Sequence, residues 1–336
     1  MPPTTPSVLS GLANISIASN DEPSSSQKYF SSPFKSLEDD ATVLPLKESN
    51  PPDVYGDLVR PLHFFAPPRY GSPPRFLVAH PNGSGIKNFG TTPTKVTIRD
   101  MRNKEHRFHL ALHSFKLLRY LPAYPYPLDL QDPQTITTVH NSITDIIRLN
   151  VTSANQITIF STAILKAKNT VGAPYPNVSY PMQVDQTPGG AILRAKRHLT
   201  PDIAAQVAMG TLSLRIVTVY RPILPGDEKI TDHQLCLAES LSIPDDYLVP
   251  VEHVYPDRVG QTYAVKHGHG QRFWYWSHMS SSEAIIVQVY DSLLGCDSLG
   301  LERMVRGATG FFRVMPRGWE EGKDAEWLVV RALVVA

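Results

Sequence analysis

Three apolar runs in the second half of the chain constrain its fold more than any other feature. Residues 212–220 and 327–335 are rich in β-branched side chains, and residues 284–290 form a near-continuous apolar segment. Runs of this length and composition predict strands, and an uninterrupted apolar run predicts a strand in the middle of a sheet. The first run is predicted to end at Arg221-Pro222, since proline is rare inside sheets.

Shorter patterns extend this prediction. Alternation typical of strands occurs at residues 95–100 and 156–160, and residues 272–276 form a predicted aromatic strand. Residues 108–110 form another candidate strand. Residues 136–150 repeat their apolar side chains near the helical period, and residues 200–209 form a second candidate helix with Pro201 near its first turn. We therefore expect a mainly β fold, a double-stranded β-helix (jelly roll) with a few peripheral helices.

Composition divides the chain into an arm and one domain. Residues 1–58 are rich in Ser, Pro, Asp and Asn and lack a regular apolar pattern, so we predict a low-complexity N-terminal arm. Residues 59–336 form the predicted jelly-roll catalytic domain. The hydrophobic fraction of the whole chain is 42%, which is ample for one large core.

Charge and cysteine usage exclude several functions. The formal net charge is +1, which gives no reason to expect nucleic acid or an anionic membrane as a partner. The two cysteines match neither a disulfide framework nor a zinc site. No secretory signal or membrane-spanning run is visible, so we predict a cytoplasmic protein. The oligomeric state stays open, with a homodimer as one option.

The segment from Tyr180 to Ala191 looks like an iron site whose ligands have been removed. A non-haem iron(II) oxygenase holds its metal with a His-x-Asp pair and a second His far downstream, and it leaves positions open for oxygen and substrate. This chain keeps Asp185 but has Gln183 where the first His belongs. A neutral amide is a poor substitute for imidazole, so we predict a pocket that works without a metal or any other cofactor.

Several short motifs gain specificity from their order and spacing. They lie at residues 100–102 with Phe108, 113–115, 184–188, 219–223, 232–237, 246–250, 274–275 with Met279 and Glu283, and 290–292. Through them the chain resembles, from about Arg99 to the C-terminus, the fungal AsaB-like hydroxylase/desaturase family. That family is associated with iron(II)/2-oxoglutarate-type oxygenases of secondary metabolism on a double-stranded β-helix, and the resemblance implies the same fold here.

The chain departs from that family at the metal site. The family expects its second His after the 290–292 motif, but residues 303–311 contain none. The family also tends to carry an Arg before the last strand for the 2-oxoglutarate carboxylate. Residues 324–326 occupy that place, although Arg313 and Arg317 could compensate. Because two of the three ligands expected from the resemblance are absent, we predict no iron binding.

Polar and cationic side chains are therefore the candidate machinery. The candidate catalytic residues are Gln183, Asp185, Arg194, Arg272 and Arg306. The candidate substrate-binding residues are Gln186, Tyr263, Phe273, Tyr275 and His278. An amide N–H donates to a substrate oxygen, a carboxylate positions an arginine or a water, and a planar guanidinium matches two adjacent oxygens.

Three functions fit a jelly-roll pocket without iron, which we expect to be deep and apolar. The first is dehydration or cycloaddition of apolar small-molecule natural products, which gains from holding two partners in reactive geometry. The second is an oxygenase with altered ligands, and the third is a ligand-binding pseudoenzyme. We favour the first, because the chain also resembles the cofactor-free intermolecular hetero-Diels–Alder enzymes of tropolone–sesquiterpene meroterpenoid pathways. There a hydroxymethyl tropolone loses water, and the quinone methide adds across an alkene of a terpene such as humulenol.

Overall fold

Strands dominate the computed structural model, which describes residues 56–78, 85–166, 181–293, 295–296, 302–303, 306–314 and 326–336. The strands are Leu58–Ala66 (β1), Arg75–Val78 (β2), Gly85–Lys87 (β3), Gly90–Asp100 (β4), Phe115–Leu118 (β5), Gln156–Lys166 (β6), Gln183–Val184 (β7), Leu214–Ile223 (β8), Gln234–Ala238 (β9), Leu248–Val254 (β10), Val259–Val265 (β11), Phe273–Tyr275 (β12), Ala284–Asp291 (β13), Gly295–Cys296 (β14), Glu302–Arg303 (β15), Ala308–Phe312 (β16) and Glu326–Val335 (β17). The α-helices are Leu110–His113 (α1), Pro133–Asn150 (α2), Pro188–His198 (α3) and Pro201–Met209 (α4). Single 3₁₀ turns lie at Glu105–Arg107, Ser240–Ser242 and Asp245–Tyr247.

Two large sheets share one core. The first has the strand order β1-β4-β12-β9-β16-β7-β11-β10-β2-β3, and the second has the order β5-β13-β8-β17-β6. Phe64 and Phe312 from the first sheet belong to the same buried cluster as Ile216 and Trp327 from the second. This arrangement of mainly antiparallel sheets confirms the predicted jelly roll.

Helix α2 covers the other face of the five-stranded sheet. Because side chains alternate along a strand, Val217 and Val219 of β8 point away from the shared core. They pack in a second cluster with Val139 and Ile143 of α2. The helix begins after Asp132, whose side chain accepts a hydrogen bond from the backbone N–H at Thr135. No helix in the described ranges is long and apolar enough to cross a membrane.

Most of the long elements predicted from the sequence are present. The predicted segments 95–100, 156–160, 284–290 and 327–335 lie in β4, β6, β13 and β17, and the predicted helices correspond to α2 and α4. The segment 108–110 was predicted wrongly as a strand, since Leu110 begins α1. The predicted arm is outside the described residues up to residue 55.

Strand β8 does not end at Arg221 as predicted but continues to Ile223. The last β8 residue paired with β13 is Tyr220, which lies opposite Ile285. Beyond that point β8 pairs with β17 alone, so Pro222 needs no N–H on the β13 side. Proline at this position therefore interrupts no pairing with β13.

Candidate functional site

A cavity of about 730 Å³ lies where the segment Gln183–Gln186 meets helix α3. Strand β6 contributes Phe160 and Ser161 to its wall, and the β10–β11 hairpin contributes residues between His253 and Thr262. Strand β17 contributes Arg331, which interrupts the apolar run over residues 327–335. The lining therefore draws on both sheets and on one helix.

Hydrogen bonds fix the segment that carries Gln183 and Asp185. Gln183 lies in β7 between β11 and β16, opposite Ala264 and Thr309. The Thr187 hydroxyl accepts from the Gly190 N–H at 2.9 Å, which caps helix α3, and donates to Gln261 Oε1 at 3.0 Å. The cap thus ties the start of α3 to β11 at the wall of the cavity.

Asp185 is held by a partly buried ion pair. Its Oδ2 lies 2.8 Å from Arg331 Nε, and its Oδ1 accepts a hydrogen bond from Gln183 Nε2 at 3.2 Å. Burial lowers the pKa of Arg331, but attraction to Asp185 and to Tyr220 outweighs this effect and raises the pKa above its ordinary value. Arg331 therefore remains a cation and holds Asp185 in place.

The donor set does not fit an iron(II) ion. Asp185 is the single carboxylate that lines the cavity within the described residues, and both of its oxygens already accept hydrogen bonds. A guanidinium beside that carboxylate would also repel a metal dication. No group of three or more His, Cys, Asp or Glu side chains gathers to hold a metal anywhere in the described ranges. A facial triad of two His and one carboxylate is therefore not assembled by these residues.

Further arginines make the cavity cationic. Arg194, Arg197 and Arg258 line it together with Arg331. The guanidinium carbon of Arg258 lies 3.9 Å from the ring centroid of Tyr255, another lining residue. The predicted deep apolar pocket is therefore wrong in its chemistry, because polar and charged groups form most of the wall.

Two histidines in the wall are neutral near pH 7. His253 Nε2 lies 2.9 Å from Thr262 Oγ1, and burial lowers the pKa of His253 to about 4. Burial also lowers the pKa of His198, and the charge of neighbouring arginines, first Arg194, lowers it further. Both rings therefore present one donor and one acceptor nitrogen and add no positive charge.

The structure brings four of the ten predicted site residues together. Gln183, Asp185, Gln186 and Arg194 line the cavity. Two predicted arginines lie elsewhere. Arg272 forms a two-pronged ion pair with Glu239, with N–O distances of 2.6 and 2.7 Å.

Arg306 was also predicted to reach the site, and it does not line the large cavity. It forms an ion pair of 2.9 Å with Asp245 and lines a much smaller cavity. Its guanidinium carbon lies 5.3 Å from the ring centroid of Tyr263. Tyr263 therefore packs against Arg306, while its neighbour Thr262 lines the large cavity.

The remaining predicted binding residues are parts of the core or of a turn. Phe273 is buried with its ring 5.7 Å from that of Phe64, and the buried Tyr275 donates its hydroxyl to the Gly56 carbonyl at 2.6 Å. His278 adopts a left-handed backbone conformation with φ of 50° in the loop after β12. The aromatic strand was chosen for its composition, but its place in the sheet puts it away from the cavity.

Sequence reasoning missed several residues of the cavity. Arg331 carried a usable signal, because a single arginine inside an apolar strand needs a partner. His253, Tyr255 and Gln261 carried none, since their convergence depends on the register of the β10–β11 hairpin. Phe160 lies where the β6–β17 register shifts, and this β-bulge lets Phe160 and Ser161 both face the cavity.

Comparisons with known proteins relate the chain to one family model and to fungal hydroxylases/desaturases and dioxygenases. The model of a family described as "Oxidoreductase/YMDC permease-like domain" matches residues 62–308. The hydroxylase/desaturase poxK of Penicillium oxalicum is 24% identical over 267 residues, which cover 72% of this chain and 80% of poxK. The Fe(II)/2-oxoglutarate-dependent dioxygenase nvfI of Aspergillus novofumigatus is 25% identical over 225 residues, which cover 62% of this chain and 74% of nvfI.

A solved structure of the iron and alpha-ketoglutarate-dependent endoperoxidase NvfI superposes with a TM-score of 0.69 at 22% sequence identity. The superposition covers 84% of this chain and 98% of that one. At this identity the likeness supports a shared fold, and the chemistry has to be inferred from the residues of the cavity.

Proposed function

The chain belongs to the oxidoreductase/YMDC permease-like domain family and is related to fungal hydroxylases/desaturases and Fe(II)/2-oxoglutarate-dependent dioxygenases; from this premise we propose that its cavity performs metal-independent dehydration and cycloaddition. One observation carries the proposal. Arg331 and Gln183 each donate a hydrogen bond to one oxygen of Asp185, so the carboxylate pairs with a guanidinium and not with a metal ion. The family scaffold is retained, and the oxidative step is not.

The proposed substrate is a hydroxymethyl tropolone together with an alkene of a macrocyclic terpene. The C–O bond of the hydroxymethyl group breaks, the departing hydroxide takes up a proton and leaves as water, and the proton given up by the ring hydroxyl group balances the one that was consumed. The resulting quinone methide adds across the alkene, which forms one C–C bond and one C–O bond. No electrons are gained or lost overall, so neither oxygen nor 2-oxoglutarate is consumed.

The cationic wall suits the first of these steps. Guanidinium groups of Arg194 and Arg331 would bind the two adjacent oxygens of the ring, which share its negative charge before water leaves. Tyr255 supplies a phenol that would protonate the departing hydroxyl group. Asp185 accepts hydrogen bonds from two side chains, which suits it to hold Arg331 and Gln183 in position rather than to act as the acid.

The mouth of the cavity suits the apolar partner. Leu193 of α3 and Val259 of β11 both line the cavity and are 47% and 46% exposed. An apolar terpene bound against them would lie beside the ring held by the arginines, and it would exclude water from the quinone methide. The division into a cationic wall and an apolar rim therefore matches two partners of different polarity.

The decisive experiment is turnover without oxygen or metal. We expect purified protein, treated with EDTA and kept anaerobic without 2-oxoglutarate, to convert a hydroxymethyl tropolone and humulenol to a product whose mass equals their sum minus water. A strict requirement for oxygen and 2-oxoglutarate would instead assign the activity named for the relatives. Binding of both compounds without any product would assign a ligand-binding protein.

A further inference from the structure

One cation of the cavity has no carboxylate partner in the described part of the chain. Arg331 is paired with Asp185 at 2.8 Å, and Arg258 is paired with Asp257 at 2.9 Å. Arg197 lies 4.0 Å from the same Asp257. Within the described ranges no acidic side chain forms such a pair with Arg194, although it lines the same cavity and is half-buried.

The position of Arg194 is fixed by its surroundings. It lies four residues after Gly190 on α3, so both face the cavity from the same side of the helix. Its guanidinium carbon lies 4.8 Å from the ring centroid of Phe160, the residue at the β-bulge of β6. Stacking on an aromatic ring restrains the guanidinium plane and leaves its N–H edge available to a ligand.

The charges around Arg194 are unfavourable for a cation. Burial lowers the pKa of Arg194, the phenol of Tyr255 raises it, and the positive charges of Arg197, Arg258 and Arg331 lower it further. Arginine nevertheless stays protonated in proteins. A bound anion would therefore relieve both the desolvation and the repulsion that this side chain experiences.

We propose that Arg194 determines specificity by binding the substrate as an anion, namely a planar ring with two adjacent oxygens that share one negative charge. The choice of a ring anion rests on the proposed function, whereas the anion site itself rests on a guanidinium that forms no ion pair with any described carboxylate. A 2-oxo acid presents a similar pair of oxygens, so the experiment must separate the two sources.

Calorimetry with simple probes tests the proposal in metal-free buffer containing EDTA. The probes are tropolone, its neutral methyl ether 2-methoxytropone, and 2-oxoglutarate, at a pH where tropolone is ionised. The proteins are the full chain and its Arg194→Gln, Arg194→Lys and Arg148→Gln variants. Arg148 is an exposed arginine of α2 paired with Asp145, so its replacement changes the net charge equally but leaves the cavity intact.

We expect the full chain to bind tropolone more tightly than the methyl ether or 2-oxoglutarate. Arg194→Gln should weaken tropolone binding on the order of tenfold to a hundredfold, as for loss of a charged hydrogen bond, and should abolish the preference over the ether. Arg194→Lys should keep part of the preference, and Arg148→Gln should keep all of it.

Three results would overturn the proposal: an undiminished preference in Arg194→Gln, an equal loss in Arg148→Gln, or tighter binding of 2-oxoglutarate than of tropolone. A second measurement needs no variant. Tropolone affinity of the full chain must fall as the pH drops through the pKa of tropolone itself, while affinity for the ether stays level, and parallel profiles would also refute it. Because no turnover is measured, product formation without an anion preference would refute this inference and leave the proposed function standing.

Discussion

Asp185 and Arg331 show how one exchange of partners changes what a site can do. A buried carboxylate requires a positive partner, because an unpaired charge in a protein interior is strongly unfavourable. In an iron site the metal supplies that charge, whereas here the guanidinium of Arg331 supplies it from 2.8 Å. A guanidinium can therefore compensate the charge of this carboxylate where an iron site would use a metal ion.

Removing this carboxylate should destabilise the protein. Asp185→Asn leaves the positive charge of Arg331 without its partner, and we expect the free energy of unfolding to fall by about 1.5–3 kcal/mol, the range for hydrogen bonds to charged groups. Urea unfolding measures the change. Asp145→Asn is the matched control, since its pair with Arg148 is exposed and should contribute at most about 1 kcal/mol. Equal effects of the two substitutions would contradict a structural role for the Asp185 pair.

The low pKa of His253 predicts a dependence of stability on pH. Its pKa is about 4 in the folded protein and near 6.5 when the chain is unfolded. Between these values the unfolded chain binds the proton and the folded chain does not, so stability rises with pH across this window and levels off above it. His253 should contribute up to about 3 kcal/mol to that rise.

The measurement is the free energy of unfolding at several pH values between 4 and 7. His253→Phe should flatten the rise, whereas replacing the exposed His106 by Gln should leave it unchanged. A His253→Phe profile that runs parallel to that of the unmodified chain would show that other groups control the acid sensitivity.

At the scale of elements, sequence patterns predicted the long strands and missed the short ones. The apolar runs that became β8, β13 and β17 are central strands, for which composition alone is a strong signal. Strand β7 has two residues, and its place depends on pairing with β11 and β16, which no local pattern contains. The part of the candidate site that lies in the Gln183–Gln186 segment was therefore predictable from its motif, and the part supplied by the hairpin was not.

Helix α3 was missed for a different reason. Its first residues, Pro188-Gly189-Gly190, look like a turn, but proline at the first position of a helix and Thr187 as its cap are helix-start signals. Glycine is found here because a side chain would have no room, and not because the backbone must be flexible. A Cβ atom at Gly190 would lie 2.6 Å from the Gln261 carbonyl oxygen, so α3 can approach β11 only where the side chain is absent.

A pair of glycine substitutions tests this close approach. Gly190→Ala should lower the free energy of unfolding by about 1–3 kcal/mol, because the backbone of β11 must move to make room. Gly189→Ala is the neighbouring control: its Cβ would lie 3.1 Å from the movable end of the Gln261 side chain, and the change should stay within about 1 kcal/mol. Thermal and urea unfolding of the two variants measure the difference. A Gly190→Ala protein as stable as the Gly189→Ala control would contradict the close approach of α3 to β11.

At the scale of the whole molecule, a nearly neutral chain contains a strongly positive cavity. The formal net charge is +1, yet four arginines line the cavity against the single carboxylate of Asp185 within the described residues. Composition cannot reveal this asymmetry, because it arises from folding that brings together β17, α3 and the β10–β11 hairpin. The cavity should therefore discriminate between ligands by charge much more strongly than the surface does.

That charge asymmetry predicts opposite responses to a metal cation and an organic anion. A ligand that binds only the folded state stabilises it by about 2.7 kcal/mol when its concentration is a hundredfold above its Kd. For a protein of this size, each kcal/mol of stabilisation raises Tm by roughly 2–4 °C. Anaerobic Fe(II) should leave Tm unchanged, since the guanidinium of Arg331 stands beside the cavity's carboxylate. Tropolone in metal-free buffer should raise Tm by several degrees. A rise with Fe(II) that EDTA reverses would show that Asp185 can exchange its arginine for a metal, and the oxygenase activity of the relatives would then become the better account of this cavity.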